Sequence, residues 1–143
     1  MRPKLRLRTL SLLVLAPLAV VPAYADDLKG AQKLLCSSGQ LAACFDDGEC
    51  EHAAPWTLNV PAFIQVDLSA KTLSTTPASG ENRTTPIRSL DRADGRLVIQ
   101  GFEGGRAFSF LIDEETGALT AAVARNGVGV IVFGNCTPTP AAR

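Results

Sequence analysis

Apolar and polar residues alternate along most of the chain between residues 63 and 133. Ile64, Val66 and Leu68 alternate with polar residues, and Phe108 and Phe110 repeat this period of two further along the chain. The spacing is typical of β-strands that bury one face. Short turn sequences separate these runs, so the pattern predicts seven strands between Phe63 and Phe133.

Strands that follow each other through tight turns pair as antiparallel neighbours. Seven or more such strands with one apolar face tend to curl, because closure removes exposed edges. The predicted fold class is therefore mainly β, an antiparallel up-and-down meander that curls into a small barrel. An additional hairpin of Leu41–Phe45 and Cys50–His52 would extend it.

Three details of the pattern carry more specific expectations. Pro86 lies inside the predicted strand Thr84–Leu90 and marks an edge or a bulge, because proline cannot donate a backbone hydrogen bond. Asn126-Gly127 is the strongest hairpin signal. The last run, Val128–Phe133, is apolar on both faces, which predicts a strand that is covered on both sides.

The two ends of the mature chain show different patterns. Leu28, Ala31, Leu34 and Leu35 have helical spacing, which predicts a short N-terminal helix over residues 26–35. The proline-rich segment 137–143 is predicted to be a frayed end.

Residues 1–25 have the three parts of an export signal. A basic segment precedes the apolar stretch Leu10–Val21, and Ala23-Tyr24-Ala25 supplies the small residues of a cleavage site. The apolar stretch is shorter than the roughly 20 residues that span a bilayer. We therefore predict a cleaved signal, a single domain of residues 26–143, and a periplasmic or secreted protein with no stable membrane insertion.

Charge excludes several classes of partner. The chain has 14 basic and 14 acidic residues, but four of the basic ones lie in residues 1–25, which leaves 10 against 14 and a net charge of −4 for residues 26–143. Nucleic-acid binding and polybasic membrane binding both need a basic surface, so neither is expected.

Four cysteines lie in the mature chain, and an even number in an exported protein indicates disulfides. Three pairings are possible. The turn-forming residues between Cys44 and Cys50 favour a bond within one hairpin, which leaves Cys36 to pair with Cys136.

A metal site is the alternative interpretation of the same segment. The candidate ligands are His52, Asp46 and Glu49 together with Cys44 and Cys50, a set that would suit copper or zinc. The spacing Cys-x5-Cys-x-His matches no standard zinc, redox or haem motif, and oxidation would remove both sulfur ligands. No metal and no other cofactor is therefore predicted.

Catalytic residues are not expected either. His52 is the single histidine, and the serines occur without a Gly-x-Ser-x-Gly elbow, so a nucleophile with its base is missing. Trp56 and the phenylalanines could line a ligand pocket inside a barrel, although core packing is the more general role of aromatic residues.

The mature chain resembles a group of small exported proteins of Gram-negative bacteria that carry no assigned activity. The resemblance rests on the spacing of Cys36, Cys44 and Cys50 and on the segments 83–87, 94–97, 112–119 and 133–138. It implies a fold and brings no catalytic or ligand residues. The general plan also resembles periplasmic β-barrel inhibitors, such as those that act on lysozyme, at the level of the fold alone.

These observations together predict a non-enzymatic binding or interaction module whose partner is an envelope protein or a small ligand. The alternative is a carrier of a small ligand or of copper or zinc, which would use the barrel interior or the loop that precedes His52.

Overall fold

The computed structural model describes residues 27–79 and 82–139, so the predicted export signal lies outside the described residues. Ten strands form one antiparallel sheet. They are β1 Lys33–Phe45, β2 Cys50–Ala53, β3 Phe63–Asp67, β4 Thr72–Thr75, β5 Thr84–Pro86, β6 Ser89–Ala93, β7 Arg96–Glu103, β8 Arg106–Asp113, β9 Ala118–Arg125 and β10 Val128–Pro138. Two short 3₁₀ helices, Pro55–Leu58 and Pro77–Ser79, lie in the connections. The prediction of a mainly β, antiparallel fold is confirmed.

The sheet is a curled half-barrel in the order β5-β4-β3-β1-β10-β9-β8-β7-β6. β2 pairs with the second half of β1, on the same edge that β3 occupies along the first half. The end strands β5 and β6 follow each other in the chain but do not pair. Between them the backbone N–H of Ile87 donates to Lys71 on one side, and that of Arg88 donates to Gln100 on the other.

Pro86 explains why the predicted strand Thr84–Leu90 is two strands. It ends β5 at the edge of the sheet, where a residue without an N–H costs no ladder hydrogen bond. The chain then crosses to the opposite edge and continues as β6. The barrel that the meander predicts is therefore interrupted between these two strands.

The predicted N-terminal helix is wrong. Gly30 has a φ of 79°, which a right-handed helix does not allow, and residues from Lys33 onward form β1. Leu34 and Cys36 are buried with a period of two, and β1 is hydrogen-bonded on both edges. Pairing with two neighbouring strands overrides a weak helical pattern. The frayed end is also wrong for Thr137 and Pro138, which belong to β10, while residues 140–143 lie outside the described part.

A bulge in β1 allows both halves of the strand to direct buried side chains to the same face of the sheet. The register with β10 shifts between Ser38 and Gln40, and the buried positions change from Leu34 and Cys36 to Leu41 and Ala43. One extra residue is required for that change, because side chains alternate between the faces of a strand. Gly134 lies opposite the bulge, where a Cβ atom would collide with the carbonyl oxygen of Ser37.

The core fills the concave side of the sheet. Large side chains that are almost completely buried come from several strands, including Val66, Leu97, Ile99 and Ile112. Leu28, which precedes β1, is also buried, and its backbone N–H donates to the carbonyl of Glu114 at 2.8 Å.

An ion pair lies beside this N-terminal segment. The Nε atom of Arg92 lies 2.8 Å from Oε1 of the buried Glu114, and Nη2 of Arg92 donates to the carbonyl of Ala31 at 3.4 Å. The segment before β1 is therefore attached to the turns at this end of the half-barrel.

Two disulfides connect strands that are paired directly. Cys36–Cys136 joins β1 to β10 on the buried face, across 100 residues of sequence, and Cys44–Cys50 joins β1 to β2 on the exposed face, across six. This is the pairing that the sequence favours. Two such bonds indicate an oxidising, extracytoplasmic compartment.

We predict that Gly134→Ala destabilises the fold by about 1–3 kcal/mol, because the new methyl group must displace the backbone of the bulge. Urea denaturation measures the free energy of unfolding. Gly129→Ala is the matched control on the same strand, since its Cβ meets no atom within 4 Å. Equal stability of the two variants would contradict this account of the bulge.

We also predict that the two disulfides differ in their contribution to stability. The chain-entropy argument gives about 4–5 kcal/mol for a loop of 100 residues and about 2 kcal/mol for a loop of six. The double variant Cys36→Ser/Cys136→Ser should therefore unfold at a much lower urea concentration than Cys44→Ser/Cys50→Ser. Similar urea midpoints for both variants would contradict the argument from loop length.

Candidate functional site

The candidate ligands of the alternative metal-site interpretation lie at the hairpin between β1 and β2 and beside it. The backbone N–H of Glu49 donates to Oδ1 of Asp47 at 3.0 Å, and that of Asp46 donates to the carbonyl of Gly127 at 3.1 Å. Cys44 and Cys50 are joined in a disulfide, and His52 is exposed on β2. Within residues 27–79 and 82–139, no three acidic, histidine or cysteine side chains come together as a metal site.

The serines form structural hydrogen bonds. Ser79 Oγ accepts from the backbone N–H of Phe63 and donates to its carbonyl, and Ser74 pairs with Thr84 across neighbouring strands. Ser69 donates to Asp67 in a turn. These bonds hold loops and strand edges, and among the described side chains no serine is hydrogen-bonded to His52.

A cavity of about 120 Å³ opens on the concave side of the sheet, toward the end where the β7–β8 turn lies. Its walls are mainly apolar and come from β3, β4, β8, β9 and β10. They include Ile64, Leu73, Phe110, Ala121, Val123 and Val132. The sequence predicted that Trp56 and the phenylalanines could line a pocket, and of these Phe108 and Phe110 do so.

A glycine shapes one wall of this cavity. Phe108 on β8 pairs with Gly101 on β7, and a Cβ atom at Gly101 would collide with the Phe108 ring. The ring therefore occupies the space above the glycine. Its centroid lies 5.5 Å from that of Phe110, with the two planes tilted by 53°.

Charged side chains stand at the mouth of the cavity. Arg83, Glu103 and Arg106 are the charged residues among its described lining. Nη1 of Arg83 lies 3.9 Å from Oε2 of Glu103, whereas Arg106 forms no side-chain hydrogen bond or ion pair with the described residues. An apolar interior with a cationic group at its entrance is typical of a small-molecule site.

The convex side of the sheet is uncharged over the central part of five adjacent strands, and the charged outward residues Lys33, Arg96 and Asp113 lie at one end of these strands. We define the outer face as the uncharged outward-facing residues in the central part of β1 and β7–β10. They are Gln40, Ala42, Cys44, Val98, Gln100, Phe102, Ala107, Ser109, Leu111, Ala118, Thr120, Ala122, Ala124, Gly129, Ile131, Phe133 and Asn135.

Several large apolar side chains of the outer face are exposed. The exposed fraction is 58% for Phe102, 48% for Phe133, 44% for Leu111 and 38% for Ile131. The prediction that Val128–Phe133 is covered on both sides is therefore wrong, because its outward residues contact solvent. The sequence contains the alternation, but it does not reveal whether another element covers the second face.

Trp56 and Phe63 are also exposed, but neither belongs to the strands that form the outer face, and Phe63 lies on the convex side opposite Ser37 of β1. Trp56 is 74% exposed on the first 3₁₀ helix, and Phe63 is 38% exposed at the start of β3.

Comparison of the chain with protein-family models, with curated proteins and with solved structures finds no match. Over the described part of the chain, no helix has the length and apolar character needed to cross a membrane.

The carboxyl groups with lowered pKa values stabilise turns. Hydrogen bonds from Ser69 and from the backbone N–H of Ala70, at 2.6 and 2.8 Å, lower the pKa of Asp67 to about 2, and Lys33 contributes. The backbone N–H and the hydroxyl of Thr116 lower the pKa of Asp113 in the same way. Both carboxylates accept the hydrogen bonds of their own turns.

We predict that Asp67 makes folding sensitive to acid. Because its pKa falls from 3.8 to about 2 on folding, its stabilising contribution is complete above pH 3.8 and is lost as the pH falls toward 2. Asp67→Asn should therefore be less stable than the parent at pH 6, and the difference should shrink between pH 4 and pH 2.

Urea denaturation across this pH range tests the stability prediction, and NMR titration of the carboxyl group tests its cause. Ser69→Ala should raise the pKa of Asp67 toward its ordinary value, whereas Ser74→Ala, whose hydroxyl faces Thr84, should not. A constant stability difference from pH 6 to pH 2 would contradict the assignment.

Proposed function

We propose that the chain is a non-enzymatic interaction module of the cell envelope, periplasmic or secreted, that binds a partner protein through the outer face. The observation that carries the proposal is the absence of charged residues over the central outward positions of five adjacent strands, since the charged outward residues Lys33, Arg96 and Asp113 lie at one end of these strands. The exposed face of an antiparallel sheet is normally polar.

The size of the outer face supports a protein partner. Five strands with three or four outward residues each cover roughly 500 Å² at the usual strand and residue spacings. Exposed apolar patches of about 300–600 Å² are the largest on a typical monomer and are often functional. An interface of standard size buries about 800 Å² per partner, so the charged surroundings of the face would complete the contact.

The chemistry of the outer face indicates how a partner would be held. Phe133 and Leu111 are bulky, whereas Ala107, Ala124 and Gly129 form a flat row beside Phe102. A flat row allows a partner backbone or sheet to approach closely, and the aromatic rings supply buried area. Charged residues at the rim, such as Arg96 and Asp91, would orient the partner.

Crosslinking at the centre of the outer face tests the proposal. A photoreactive amino acid at Ala122, on β9, should crosslink the protein to a discrete partner in the cells that export it. The same amino acid at Asn59, an exposed residue away from the outer face, should not. A crosslinked product that is a dimer of this chain would contradict binding to a different protein.

A pair of variants makes the crosslinking test specific. Phe133→Ser/Ile131→Ser removes exposed apolar area and should reduce the crosslinked product at Ala122 at least tenfold, with the melting temperature little changed. Trp56→Ser is the matched control, because it removes an exposed aromatic ring elsewhere. Equal crosslinking by both variants would overturn the proposal.

A further inference from the structure

The cavity on the concave side carries an inference that is independent of the outer face. We propose that it binds a small molecule with an apolar body and one carboxylate group, and that Arg106 holds the carboxylate. The body would lie against Phe110, Ala121 and Val123 on the cavity wall.

The size of the cavity limits the apolar body. Its volume of about 120 Å³ is somewhat smaller than the roughly 150 Å³ of an engineered apolar cavity that binds benzene. Because the cavity is open at one end, a ring or a branched chain of about four to six carbons fits inside while a polar group remains at the mouth.

The charges at the mouth select the polar group. Arg83 and Glu103 lie 3.9 Å apart as an ion pair, so they largely compensate each other. Arg106 is directly opposite Glu103 in the β7–β8 hairpin, but it makes no ion pair within the described residues. The described lining therefore has one positive charge in excess, which matches a single carboxylate.

Geometry favours a carboxylate over a simple inorganic anion. Arg106 occupies an inward position on β8, in line with Phe108 and Phe110, so a carboxylate at the guanidinium can continue into the apolar interior. A guanidinium donates two parallel hydrogen bonds to a carboxylate. Hydroxyl groups of Ser38 and Thr85, which also line the cavity, offer additional polar contacts.

Phenylacetate is a suitable probe, because it joins a benzene ring to one carboxylate. We expect saturable chemical-shift changes in NMR spectra of the full mature protein, centred on the amides of Phe110, Ala121 and Val123, with a Kd near or below about 1 mM. Phenylacetamide, the neutral isostere, should bind at least tenfold more weakly, and so should inorganic phosphate.

Three variants distinguish the parts of the site. Arg106→Gln should weaken phenylacetate binding at least tenfold. Arg88→Gln, which changes an exposed arginine outside the cavity, should not affect binding. Val123→Phe should fill the cavity and abolish binding, and unchanged amide dispersion would show that the fold is retained.

Each remaining outcome overturns the inference. No saturable change up to about 20 mM phenylacetate would exclude a site for this class of ligand. Equal binding of the amide, or full affinity in Arg106→Gln, would exclude carboxylate recognition by Arg106. Tighter binding of phosphate would indicate a simple anion site. The outer face lies on the opposite side of the sheet, so none of these results tests the proposed protein interaction.

Discussion

The pairing of the first long strand with the last one is the constraint on which the rest of the structure depends. β1 lies inside the sheet, hydrogen-bonded to β10 on one edge and to β3 and β2 on the other. Without it, the strands β3–β5 and β6–β10 would be two separate meanders, because β5 and β6 do not pair. This contact closes a loop of 100 residues, and the buried Cys36–Cys136 bond lowers the entropic cost of that closure because it restricts the unfolded chain.

The bulge in β1 determines what each face of the sheet presents. Leu41 and Ala43 join the core because the extra residue before Gln40 restores the inward phase. The same extra residue directs the side chains of Gln40, Ala42 and Cys44 outward, where they extend the outer face beyond β10. The space at Gly134 that admits the bulge is therefore a condition for both the core and the proposed interaction surface.

Much of the sheet is predictable from the sequence, since β7–β10 combine a period of two with short turn sequences such as Asn126-Gly127. The predictions fail where local pattern and long-range pairing disagree. Residues 28–35 have helical spacing, but the last three of them, residues 33–35, are held in β1 by pairing with β3 and β10. The cavity residues come from distant strands, so the sequence could suggest a pocket but could not place Arg106 at its mouth. Exposure of Phe133 depends on what covers it, and a pattern of alternating residues does not contain that information.

The two faces of the sheet differ in their packing and in their exposure to solvent. The concave face is filled by the chain itself, and packing leaves a small space at one end that is bounded by Phe108 over Gly101. On the outer face apolar residues alternate with uncharged polar ones, since Thr120 lies between Phe133 and Leu111 across paired strands. Such a surface hydrogen-bonds with water when it is free, yet burying it requires no desolvation of charge. That combination suits reversible binding to a protein better than it suits a permanently buried core.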